Sequence, residues 1–144
     1  MATSGRGITT DQNILQYVLG KAAYTAPAGC YAALFSTTGT ADYPLSGFIE
    51  LSGSGYARAT IDAANAAAAW SSVTTDATGA WKTNQNQISF PTASAGWTAA
   101  TGYGIYDAST TGTLLYWGTF GSATTVGSGA TASFAAGALK VTEA

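Results

Sequence analysis

The stretch GYGIYDASTTGTLLYWGTF, residues 102–120, decides how the chain is read. Its two ends, GYGIYDA and TLLYWGTF, are rich in the aromatic and aliphatic side chains that suit a pleated, half-buried surface. Between them Ser109, Thr110, Thr111 and Gly112 supply turn chemistry, so the segment predicts two antiparallel strands joined as a hairpin. Asp107 closes the first strand and reads as a turn cap, not a cation ligand. Within the second strand, Leu114-Leu115-Tyr116-Trp117 breaks the alternation of a one-sided strand. In an antiparallel sheet one face often meets water. Here both faces are apolar, so either a helix or another subunit is expected to cover the second.

The same signals extend outward in both directions. CYAALFST, residues 30–37, is an apolar run bounded by Pro27-Ala28-Gly29 and Thr38-Gly39. GFIELS (47–52) and YARATI (56–61) flank Gly53-Ser54-Gly55, a spacing that predicts a second hairpin. Arg58, in mid-strand, is expected to pair with an acid on a neighbouring strand. QISFP (87–91) puts Ile88 and Phe90 on one face, and TASFAAGALKVT (131–142) reads as a last strand bent at Gly137. Residues 63–69, rich in alanine, read as extended structure or loop in spite of alanine's helix propensity. Residues 73–87, polar and rich in Thr and Asn, read as a long loop of the kind that often carries function.

Only one segment has helical spacing. In DQNILQYVLG (11–20), Ile14, Leu15, Val18 and Leu19 share a face, Thr9 or Thr10 can cap the start, and Gly20 fits the left-handed stop. This predicts a short amphipathic helix that plugs one side of the core. Residues 1–10 have no core pattern and read as an arm, disordered when alone and able to dock on a neighbour. The expectation is therefore a mainly β protein: an antiparallel β-sandwich, jelly-roll-like, with one short N-terminal helix. It comprises an arm over 1–10 and a single domain over 11–144. Phe35, Ile88, Phe90, Ile105, Leu114, Tyr116 and Phe134 are the expected core.

Composition narrows the chemistry. Charged residues make up 8% of the 144 positions, against about 25% in an average domain. Arg6, Lys21, Arg58, Lys82 and Lys140 stand singly, so there is no basic cluster to hold a phosphate backbone, and no nucleic acid is expected. Histidine is absent and Cys30 is the one cysteine. That removes the usual general base, the commonest metal ligand and any intrachain disulfide; Cys30 reads as a small buried hydrophobe. No cofactor or metal is expected. The seven acids form no pair in sequence, and neither Gly53-Ser54-Gly55 nor Gly102-Tyr103-Gly104 precedes a helical pattern, so both read as turns and not phosphate loops. No enzyme is expected. No apolar run approaches the length of a membrane-spanning helix, and residues 1–10 lack the apolar core of a secretory signal.

Over half the chain is Ala, Gly, Ser and Thr, a surface that meets other proteins with few charges to strip of water. Trp97 and Trp117 read as core, although Trp117 and Leu115 also lie on the two-sided strand. Trp81, in the polar segment, is a contact candidate. The candidate partner-contact residues are Arg6, Trp81, Lys82, Leu115 and Trp117.

YTAPAGCYAALFST (24–37), GSGYARATI (53–61), QISFPTASAGW (87–97), residues 102–120 and FAAGALKV (134–141) follow in order. Together they resemble a family of small tailed-bacteriophage virion proteins, tail-fibre-like or capsid decoration-like. The arm is longer than that pattern, and residues 73–87 are its variable insert. The resemblance implies a structural component of the virion. Lacking coiled-coil heptads, the chain suits a compact clip better than a fibre shaft. The first expectation is a capsid decoration (cement) protein on the capsid exterior that bridges subunits of the major capsid protein, itself a dimer or trimer. The alternative is a tail or tail-fibre-associated protein with a receptor- or glycan-binding role. A carbohydrate-active enzyme on a sandwich is a third reading.

Overall fold

The computed structural model describes residues 4–20, 23, 25–39, 47–63, 67–77 and 79–143. Its elements run β1 (Ser4–Arg6), α1 (Ile8–Val18), β2 (Cys30–Thr37), β3 (Ile49–Glu50), β4 (Ala59–Asp62), β5 (Thr74–Asp76), β6 (Gly79–Thr83), β7 (Ile88–Thr92), β8 (Ala100–Tyr106), β9 (Leu114–Thr124), β10 (Thr131–Phe134) and β11 (Lys140–Glu143). The mainly β architecture with one short N-terminal helix is as expected, and every ladder between these strands is antiparallel. The largest sheet runs β1-β9-β8-β2-β3, with β4 also on β2; β7 pairs with β10, and β6 lies between β5 and β11.

The β8–β9 hairpin carries the fold. Asp107 Oδ1 accepts a hydrogen bond from the Thr113 N–H at 2.6 Å, closing the turn as its position suggested. Ile105 faces Tyr116 while Tyr106 faces Leu114, which leaves Leu115 as an extra residue, a β-bulge. The bulge explains the broken alternation. Leu114 and Trp117 join Phe35, Phe48 and Tyr106 on one face of the sheet. Leu115 and Tyr116 pack on the other face, against a larger cluster that includes Leu34, Ile88, Phe90, Ile105 and Leu139. Both faces are packed within the chain, but over Leu115 and Tyr116 the second face keeps an opening that α1 lines on one side. Of the expected core, Phe35, Ile88, Phe90, Ile105 and Leu114 are buried, whereas Tyr116 and Phe134 are half-buried.

Four expectations change. Residues 47–61 are not a hairpin: β3 and β4 both pair with β2, at Thr37↔Ile49 and Phe35↔Glu50, then at Ala32↔Ala59 and Cys30↔Asp62. They are one edge strand interrupted by an excursion over 52–58. Glycines at φ +74° and +78° turn the excursion, and Trp97 Nε1 donates to the Ser54 carbonyl at 3.0 Å to anchor it.

Residues 73–87 are not a loop but hold the β5–β6 hairpin, which gains a third strand from β11. β-branched Thr suits a strand as well as it suits a loop. The expected last strand is two, split by a turn at Gly137, where φ is +78°. Buried Asn84 holds that turn: its Oδ1 accepts from the Leu139 N–H and its Nδ2 donates to the Ala135 carbonyl.

The helix, finally, is no plug. It starts at Ile8 behind an N-cap at Gly7 with no side-chain cap, and only Thr10 on it is buried. Leu15, Val18 and Leu19 are 60%, 69% and 73% exposed. Ser4–Arg6, within the expected arm, pairs with Gly118–Tyr116 of β9. Of the alanine-rich stretch, Ala67–Ala69 form a 3-10 turn, and residues 64–66 lie outside the described residues. No helix among the described residues is long and apolar enough to cross a membrane.

Candidate functional site

A cleft of about 280 Å³ opens between α1 and the β6–β11 strands. Thr10 and Ile14 come from α1, Leu115 and Tyr116 from β9, Trp81 and Lys82 from β6, and Trp70 closes one wall. The bulge at Leu115 turns that side chain into the cleft. The β6–β11 register, Lys140↔Thr83 through Glu143↔Ala80, brings the chain end alongside Trp81.

Two buried polar atoms of the cleft's lining residues have no hydrogen-bond partner: Thr10 Oγ1 and Trp81 Nε1. Leaving such a group unmet costs about 1–3 kcal/mol. Lys140 Nζ lies 4.5 Å from the Trp81 ring centroid, a cation–π contact that fixes the indole. At the rim Arg6 bridges Asp11 (2.7 Å) and Glu143 (3.0 Å), and Tyr116 Oη donates to Glu143. These bonds tie β1, α1, β9 and β11 together. Cys30 also lines the cleft, half-buried. Burial pushes its thiol above the ordinary range and the Asp62 charge adds to this, so it is a poor nucleophile.

Of the five contact candidates, Trp81, Lys82 and Leu115 meet at this cleft, and Arg6 reaches its rim through Glu143. Trp117 does not. It is 2% exposed on the opposite face of the large sheet, because the bulge sends it away from Leu115. Thr10, Ile14 and Trp70 were not singled out for this site. The spacing of Ile14 marks an apolar helix face, but nothing local to Thr10 or Trp70 signals what each faces.

A second polar cluster lies around Arg58, which pairs as expected with an acid. Its Nε and Nη2 donate to the two Glu50 oxygens at 2.9 and 2.7 Å. Nη1 donates to the carbonyls of Ala108 and Thr111, and the guanidinium sits 3.5 Å over the Tyr106 ring. Tyr56 Oη accepts from the Leu34 N–H and donates to Glu50. Burial alone would lower the Arg58 pKa, but hydrogen bonding and charge from Glu50 outweigh it and hold the cation above its ordinary value. All three nitrogens of the fork are engaged, so the cluster is a structural clamp.

Among the described residues no group of three or more His, Cys, Asp or Glu side chains is placed to hold a metal ion. Compared with known families, residues 8–142 match the model described as Podophage GP4 fiber I protein gp80. No curated protein matches the chain.

Proposed function

The chain belongs to the podophage GP4 fiber I protein family, and on that premise we propose that it is a fibre-associated structural protein of a tailed-phage virion, acting by association and not by catalysis. The observation that carries this is the extent of the match. It runs from the first residue of α1 to within one residue of the end of β11, so the elements around the apolar cleft belong to the family's shared fold. The family description favours an appendage over the capsid-decoration role that the resemblance, the low charge and the lack of heptads suggested. Association without chemistry is supported by how the charges are used: Arg58 is committed to Glu50, and Arg6 to Asp11 and Glu143. An active site instead concentrates perturbed titratable groups in a cleft.

Gold-labelled antibody against the chain, imaged on intact particles, is expected to mark the tail or its fibres in few copies. Particles lacking the protein are expected to package genome but lose that appendage. Label spread evenly over the shell would overturn the fibre reading in favour of a cement protein. Turnover of a host polysaccharide by the purified chain, lost in Asp62→Asn or Asp107→Asn, would overturn the non-catalytic one.

A further inference from the structure

The outer strands of the sheets are finished in two ways. An edge strand offers N–H and C=O groups to any extended chain, and a charge or a proline on it is a common means of keeping such a chain away. β1 carries Arg6, β3 Glu50, β4 Asp62, β5 Asp76 and β11 Lys140, while β7 carries Pro91. β10, Thr-Ala-Ser-Phe over 131–134, carries neither. Among the described strands its one neighbour is β7, so its second edge is unpaired.

A cavity of about 320 Å³ lies along β10, and all four residues of the strand line it. Successive side chains of a strand point to opposite faces. A cavity that meets both sets therefore wraps an edge of β10, and β7 occupies the other edge. Across the opening stand Phe120, Thr124 and Thr125, from the end of β9, which does not pair with β10. β9 bulges here: Thr119 faces Gly102 and Thr124 faces Ala100, so residues 120–123 stand against Thr101 alone. Leu34, Phe90 and Phe134 make the cavity apolar, and no charged side chain lines it. A saccharide fits less well. Its hydroxyls each need a partner once desolvated. The lining side chains include no carboxylate or amide, and Thr131 Oγ1 is already bonded to Thr92 Oγ1 at 3.0 Å.

We propose that β10 accepts an extended segment of a different protein as an added strand, with a Val, Ile or Leu side chain of that segment seated over Phe90 and Phe134. Main-chain hydrogen bonds along the free edge hold the segment, and the cavity selects its alternate side chains. The segment is uncharged at its centre, because a charge brought against these walls would lose water and find no counter-charge. The added strand does not rest on the fibre assignment and would serve a shell protein equally, so either reading can fail alone.

Amide NMR of the isotope-labelled full chain tests this, with capped octapeptides of Thr alternating with Val, Ile or Leu as probes. At least one probe is expected to shift the amides of residues 124–126 and 130–134 and to slow hydrogen exchange in β10. That probe is then N-methylated at alternate residues, along one edge or along the other. One of the two versions is expected to bind more than about tenfold more weakly, the loss of two hydrogen bonds. Ser133→Lys gives β10 the charge that most of the other edges carry. Ser133 is exposed, so the variant should keep its circular dichroism while binding the probe more than about tenfold more weakly. Five results would overturn the proposal: no shift with any of the three peptides up to their solubility; full binding by both methylated versions; full binding by Ser133→Lys; N-acetylglucosamine moving these amides where the peptides do not; or the same amides shifting with the concentration of the chain alone, which would make the occupant a second copy.

Discussion

The excursion over residues 52–58 and the helix α1 both stand outside the regular sheets, and they are finished in opposite ways. Around the excursion the polar groups meet: Arg58 engages Glu50 and two carbonyls, and Tyr56 both accepts and donates. Its aromatic ring lies against Phe90 and Trp97. Around α1, by contrast, a hydroxyl and an indole N–H lack partners, and three aliphatic side chains face solvent. A buried polar network stabilises only when every member is satisfied. The excursion meets that condition within one chain. The α1 surface leaves it open.

If the contrast holds, substitutions on the excursion side should be severe. Phe90, 3% exposed and packed between Tyr56 and Phe134, should lose about 3–5 kcal/mol on change to Ala, measured by urea unfolding; a loss under about 1 kcal/mol would place it at a surface. Next in size, Arg58→Met should cost about 2–3 kcal/mol. That is less than a fully buried pair loses, because Glu50 keeps some solvent. Arg58→Lys should recover little of it, since an ammonium cannot reproduce the fork.

A smaller and pH-dependent effect belongs to Tyr56. Burial pushes its phenol well above the ordinary value, and burial raises Tyr103 and Tyr106 as well. The unfolded chain releases these protons from about pH 10 while the folded chain keeps them. Stability is therefore complete below pH about 10 and falls as pH rises through the folded values. Tyr56→Phe should make that alkaline decline shallower in a pH series of unfolding curves; an unchanged slope would assign it to the other tyrosines. The smallest effect is expected on the helix. Leu15→Ala at low protein concentration should change stability by less than about 0.5 kcal/mol, and a larger loss would mean that α1 packs within the single chain.

How much of this was legible in the sequence follows the range of the interactions. The β8–β9 hairpin, with the Asp107 turn cap, was readable because a short loop closes it and alternate side chains report the pairing locally. The same holds for β2, β7 and the burial of Ile88 and Phe90. The Arg58 pairing was expected because a charge in mid-strand needs a partner. The motifs that follow one another along the chain were enough to suggest a small phage virion protein. What the sequence could not carry was decided at a distance. Whether residues 47–61 pair with each other or with β2 depends on which sheet edge is free. Whether the threonine-rich segment becomes a strand depends on β11 arriving more than fifty residues later. The side of the sheet that Trp117 occupies turns on the single bulged residue Leu115, since one extra residue reverses the facing of those beyond it. Thr10 shows the limit most plainly. Its neighbours announce a helix start, but its hydroxyl is left without a partner only because β9 and the rest of the fold close around it, and no local pattern encodes that.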